Sequence, residues 1–165
     1  MYSRRKFLHH STLALSSLAF PISCLGATSA DKKIGVALVG LGYYSRDLLA
    51  PALQLTQHCY LAGIVTGTAS KIPAWQKQYN IPDKNVYNYD NFDTIANNPD
   101  IDVIYVVLPT SMHSEYSVRA ANAGKHVWCE KPMAKTAAEC QAIIDACQKN
   151  KVKLSIGYRM HHEPN

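Results

Sequence analysis

The first residues whose types and spacing could do chemistry are Gly40-Leu41-Gly42-Tyr43-Tyr44-Ser45. They follow a compact apolar run, Ile34–Val39, and open a helical stretch. A glycine-rich turn in that position presents backbone N–H groups and the positive end of a helix dipole to a phosphate. Gly40 permits a tight turn and Gly42 removes the side chain that would block a pyrophosphate. Ser45 stands where a third glycine is usual and still allows close helix packing. Gly40, Gly42, Tyr43, Tyr44 and Ser45 are therefore candidate contacts to a dinucleotide. A glycine turn alone is a weak signal; its place at the end of a first strand strengthens it.

A second run bears on which dinucleotide. After the apolar stretch 61–66 the chain reads Val65-Thr66-Gly67-Thr68-Ala69-Ser70-Lys71. An acid is usual there in proteins that hold the unmodified adenosine ribose of NAD. Thr66, Thr68, Ser70 and Lys71 could instead receive a 2′-phosphate, which favours NADP, with NAD as second choice. The alternative for Lys71 is a solvated residue at a helix start.

Two further segments end apolar runs: Pro109-Thr110-Ser111-Met112-His113 and Glu130-Lys131-Pro132. In an open α/β sheet, ligands collect at the carboxyl ends of the strands. Both segments are thus expected to line one crevice. Pro109 and Thr110 are candidate cofactor contacts there. His113 either approaches the cofactor or caps the helix that follows.

The elements that must position these residues alternate. Strands are expected at Ile34–Val39, 61–66, Val86–Tyr87, 103–108, 126–129 and 152–156, from short β-branched or aromatic runs. Helices are expected at 45–57, with a kink or new start at Pro51, and at 73–79 and 114–123, the last stopped by Gly124. Residues 92–96 read as a helical turn. The clearest helix is 136–149, where Thr136 and Glu139 form a capping box and Cys140, Ile143, Ile144 and Cys147 make one apolar stripe. This alternation predicts a doubly wound, mostly parallel α/β sheet of the dinucleotide-binding type.

The 165 residues suit one compact domain plus a short processed segment. Of the 17 basic residues, Arg4, Arg5 and Lys6 fall in the first thirty positions, which hold no acid, leaving 14 against 12 acidic residues. The basicity therefore belongs largely to the start of the chain and is a poor argument for nucleic-acid binding. That start reads Ser3-Arg4-Arg5-Lys6-Phe7-Leu8, then a modest apolar stretch, Pro21, and small residues to Ala30. It resembles a twin-arginine signal peptide over residues 1–30, implying the twin-arginine export machinery as a partner and a periplasmic or otherwise exported protein after cleavage. That route carries proteins already folded, often around a cofactor. Cys24, Cys59, Cys129, Cys140 and Cys147 form no Cys-x-x-Cys pair, so no metal site is expected and buried thiols are the preferred reading.

The glycine turn, the Pro-Thr-x-x-His segment, and Gly124-Lys125-His126-Val127 leading into Glu130-Lys131-Pro132 together resemble the glucose–fructose oxidoreductase and inositol dehydrogenase (Gfo/Idh/MocA) family. The tail Gly157-Tyr158-Arg159-Met160-His161-His162-Glu163-Pro164 extends that resemblance. The resemblance implies a Rossmann domain over residues 31–157, with 158–165 beginning the link to a second domain not in this chain. It implies hydride transfer at a sugar or polyol hydroxyl, and a homo-oligomer at full length. Carried over, Lys131 would bond the reacting hydroxyl beside the nicotinamide, Glu130 would help position it, and Pro132 is a candidate for a cis bond. Arg159 would contact the cofactor and His161 the reacting substrate; a hinge role for this tail is the alternative. The main acid/base group would come from the second domain. Two rival readings stay open: a redox-assisted glycosidase keeping NAD bound, and a non-catalytic dinucleotide-binding module.

Overall fold

The computed structural model describes residues 32–163, with the side chains of residues 161 and 162 outside that description. The expected signal segment therefore lies outside the described residues. Six parallel strands form one sheet: β1 (Ile34–Val39), β2 (Cys59–Val65), β3 (Val86–Tyr87), β4 (Val103–Val106), β5 (His126–Glu130) and β6 (Leu154–Gly157). Their order across the sheet is β3-β2-β1-β4-β5-β6. Chain order reverses direction between β1 and β4, and such a switch point opens a crevice at the carboxyl ends of the strands.

β1 shows why the strands read as near-continuous apolar runs. Val36 and Leu38 pack on one face with Ala50, Leu53, Leu61, Ile64 and Trp75. Ala37 and Val39 pack on the other with Ile104, Val106, Tyr116, Ile143 and Cys147. Alternate side chains of a strand point to opposite faces, so a sheet covered on both faces needs apolar residues at every position.

The first helix is continuous over residues 43–55 but changes pitch. Ser45–Leu49 is wound as a π-turn and Ala50–Leu55 (α1) as α-helix, with Pro51 in the first turn of α1. Proline lacks an N–H and suits the start of a helix, so the expected interruption falls where the winding changes. The helix ends at Leu55, two residues early, where the Thr56 hydroxyl lies between Leu53 O and Cys59 O, at 3.0 and 2.9 Å, and shares its one proton between them as the chain turns into β2. The remaining helices are α2 (Ile72–Tyr79), α3 (Thr110–Asn122) and α4 (Ala137–Lys149).

Two boundaries differ from the sequence expectation in ways that matter. α3 starts at Thr110, four residues earlier than the periodicity indicates, with Pro109 at its N-cap (φ −55°, ψ 142°). The Pro-Thr-x-x-His residues are thus the first turn of a helix, not a loop. β6 starts at Leu154, because Lys151 takes a left-handed conformation (φ 56°) after α4 and the next residues complete that turn. The capping box is present: the Thr136 hydroxyl accepts from Glu139 N at 3.2 Å and a Glu139 carboxylate oxygen accepts from Thr136 N at 3.3 Å. Among the described residues no helix is long and apolar enough to cross a membrane.

Candidate functional site

The glycine turn caps the carboxyl end of β1 at the switch point. Gly40 has φ +94°, and a Cβ there would lie 2.5 Å from Val107 O on the neighbouring strand end. Ser45, fully buried, closes the turn by donating its hydroxyl to Gly40 O at 2.5 Å. Gly42 is different. A Cβ on it would meet nothing within 4 Å. The protein's own packing does not require a glycine at 42; the free approach it leaves is what a phosphate bound at that turn would use.

Two cavities flank this turn. The larger, about 920 Å³, lies over the ends of β4, β5 and β6. Tyr44 and Leu48 wall it on the turn side, Pro109, Thr110 and His113 along the first turn of α3, and Glu130 and Lys131 at the end of β5. Tyr158, Arg159 and Met160 close the β6 side. The smaller, about 340 Å³, lies toward β2 and is lined by Gly42, Tyr43, Arg46, Ser70 and Lys71 among others. The two segments expected to share a crevice do share one.

Within the larger cavity, Glu130 is buried and Lys131 exposed. Glu130 Oε1 accepts from the Tyr105 hydroxyl at 2.5 Å and Oε2 from Lys131 N at 3.3 Å. Burial first, then the hydrogen bond to Glu130, push the Tyr105 phenol far above its ordinary range, so it stays a donor. Gly157 makes room for this pair, since a Cβ there would sit 2.8 Å from Glu130 Oε1 and 3.1 Å from the Tyr105 hydroxyl. Tyr44 faces the same acid: burial raises its pKa, the Glu130 charge adds to this, and Arg159 opposes it. The Lys131–Pro132 peptide is cis.

His113 is buried, with Nδ1 2.8 Å from Pro132 O and Nε2 2.8 Å from Leu108 O. Each ring nitrogen lies at hydrogen-bond distance from a backbone carbonyl and the protonated one donates, so the ring sits between the β4 end and the Glu-Lys-Pro segment. Arg159 is exposed and pairs with Glu163 at 3.3 Å. His161 lies in the 3₁₀ turn Arg159–His162 that follows β6. On the smaller cavity, Lys71 Nζ donates to Leu41 O at 2.8 Å, which draws the ammonium onto the glycine turn instead of into bulk solvent. Thr66 is buried and its hydroxyl accepts from Thr68 N at 3.1 Å, so it shapes the loop; Thr68 and Ser70 are exposed.

Sequence reasoning missed Gly157 and Arg46 as parts of these walls, and Tyr105 as the group that holds Glu130 from behind. Tyr105 carried a readable signal: a hydroxyl inside an otherwise apolar strand must find a partner. Arg46 lines the smaller cavity and forks onto Asp47 at 2.6 and 2.9 Å. Cys129 and Cys147 are buried, Cys59 and Cys140 half-buried. Burial pushes the Cys129 thiol up to about 11, which keeps it protonated and unreactive near neutral pH. Among the described residues no cluster of three His, Cys, Asp or Glu groups is arranged to hold a metal ion.

A six-stranded parallel sheet in this order, with a glycine turn at its switch point, defines a dinucleotide-binding α/β protein of the Rossmann type. The chain belongs to the Gfo/Idh/MocA oxidoreductase family with an NAD-binding Rossmann fold, which it matches over residues 34–158. It is similar to the D-xylose 1-dehydrogenase [NADP(+)] of Haloarcula marismortui, 27% identical over 137 residues covering 83% of this chain and 38% of that protein. It is 31% identical to the inositol 2-dehydrogenase of Salmonella typhimurium over 127 residues, 76% of this chain and 37% of that one. Among solved structures it is similar to the aldose-aldose oxidoreductase of Caulobacter crescentus, at 47% identity and a TM-score of 0.78, covering 80% of this chain and 39% of that one. The chain thus spans under two fifths of the length of these relatives.

Proposed function

We propose that this chain is the cofactor-binding portion of an exported, NADP-dependent oxidoreductase acting on a sugar or polyol hydroxyl. The observation that carries this reading is that Tyr44, near the end of the glycine turn, walls one cavity with Glu130 and Lys131 at the carboxyl ends of the strands, while Gly42 of the same turn opens onto the second cavity. The 47% identity to an aldose-aldose oxidoreductase supports the substrate class. Bound across the turn, NADP supplies the hydride acceptor or donor. The backbone at Gly40 and Gly42 holds the pyrophosphate. The Lys131 ammonium donates to the substrate hydroxyl and stabilises the negative charge that develops on its oxygen as the proton leaves.

The choice of NADP rests on the smaller cavity. No carboxylate stands at the end of β2, and Lys71 and Ser70 face that space. A lysine ammonium has three donors; one is spent on Leu41 O, leaving two for a 2′-phosphate. Calorimetric titration of the full-length protein is expected to show tighter binding of NADP than of NAD. Lys71→Ala is expected to weaken NADP about tenfold, as for a lost hydrogen bond to a charged group, and to leave NAD unchanged. Tighter binding of NAD by the unaltered protein would overturn the cofactor assignment.

Export is proposed on the basic, apolar and small-residue order of residues 1–30. With Arg4→Lys and Arg5→Lys together, cell fractionation is expected to find the protein retained in the cytoplasm. Unchanged export of that double variant would remove the twin-arginine route.

A further inference from the structure

Glu130 is the acidic side chain in the wall of the larger cavity, and it is held from both oxygens. Tyr105 does not line the cavity itself; it stands behind Glu130, its ring packed edge-on against Trp128 at 5.6 Å. Gly157 leaves the space that lets hydroxyl and carboxylate meet. Tyrosine donates and an ionised carboxylate only accepts, so this contact fixes where the carboxylate sits. The charged groups facing it are Lys131, exposed to water, and Arg159, paired with Glu163. Each oxygen receives one donor from the protein, which holds the carboxylate in one place in the cavity wall.

The two oxidation states of a nicotinamide differ in charge on the ring: the oxidised form is a cation and the reduced form is neutral. Under the function proposed above, on which this step rests, the half of the cofactor toward β4–β6 occupies the larger cavity. We infer that the Tyr105–Glu130 pair is a fixed negative charge that makes this site hold the oxidised nicotinamide more tightly than the reduced one, with Tyr105 as a positioning residue acting through Glu130. Lys131 moderates the effect and does not cancel it, because its ammonium is solvated while Glu130 is buried.

The test is the ratio of dissociation constants for NADPH and NADP⁺, measured on the full-length protein by NADPH fluorescence and by calorimetry. Glu130→Gln keeps the shape and removes the charge; it is expected to lower the ratio about tenfold by weakening NADP⁺ alone. Tyr105→Phe keeps the ring packing and removes only the hydroxyl; it is expected to lower the ratio about threefold. A merely structural role would weaken both forms equally and leave the ratio unchanged, and that result in Tyr105→Phe would overturn the inference even if Glu130→Gln fails to fold. Failure of the unaltered protein to bind either form would overturn the proposed function, and this step with it.

Discussion

Replacing Lys131 by Ala is expected to lower kcat of the full-length protein about 10²–10³-fold, the range seen when one donor to a developing oxyanion is removed. NADP affinity is expected to remain within about threefold, because in the proposed site the glycine turn, and not this side chain, holds the pyrophosphate. Lys131 is exposed in the wall of the larger cavity, while its own backbone N–H is tied to Glu130 Oε2 at 3.3 Å. The ammonium therefore rides on a fixed backbone. Arginine is not expected to restore the rate, since a planar, permanently charged fork places its donors differently from a compact ammonium. Steady-state kinetics with an aldose and with a polyol check this. A raised KM with unchanged kcat would mark Lys131 as a substrate-binding group with no part in the chemistry.

The second large effect separates the two glycines of the turn. Gly40→Ala is expected to destabilise the fold by about 3 kcal/mol, combining left-handed strain with overpacking. Its φ is +94°, and the new methyl would meet Val107 O at 2.5 Å and Leu108 Cδ2 at 2.9 Å. Gly42→Ala meets nothing within 4 Å and is expected to change stability by less than about 0.5 kcal/mol. In the proposed site the same methyl stands where the pyrophosphate approaches, so NADP affinity is expected to fall about tenfold, or 1.4 kcal/mol. Urea unfolding and calorimetric titration of both variants read the two effects independently. Gly42→Ala binding NADP like the unaltered protein would place the pyrophosphate elsewhere.

Most of the fold was legible before the structure. The central strands announce themselves as short apolar runs because both faces of the sheet are covered there, and β1 divides its residues between the two cores in strict alternation. The capped helix α4 was legible from Thr136 and Glu139 alone, since that signal is local. The start of α3 was not. Thr110, Ser111 and His113 do not belong to the apolar stripe of a surface helix, yet His113 is buried, because a neighbouring strand end brings Pro132 O to its ring. Periodicity cannot register a polar side chain buried by a partner distant in sequence.

What the sequence determined by itself is therefore the alternation of elements, the glycine turn, and the short segments that end on chemistry-bearing residues. These follow from local rules: strand and helix periods, caps, and the conformational demands of a tight turn. The shared wall of segments 109–113 and 130–131 was also legible, from their places at strand ends; tertiary structure decided which other residues join it. The strand order placed the end of β2 on one side of the glycine turn and the ends of β4, β5 and β6 on the other, giving two cavities instead of one. It also joined Tyr105, Glu130 and Gly157, which are far apart in the chain and meet only because β4, β5 and β6 lie side by side in parallel register. Pairing between strands is a long-range choice, set by packing both faces of the sheet at once, and no single segment carries it.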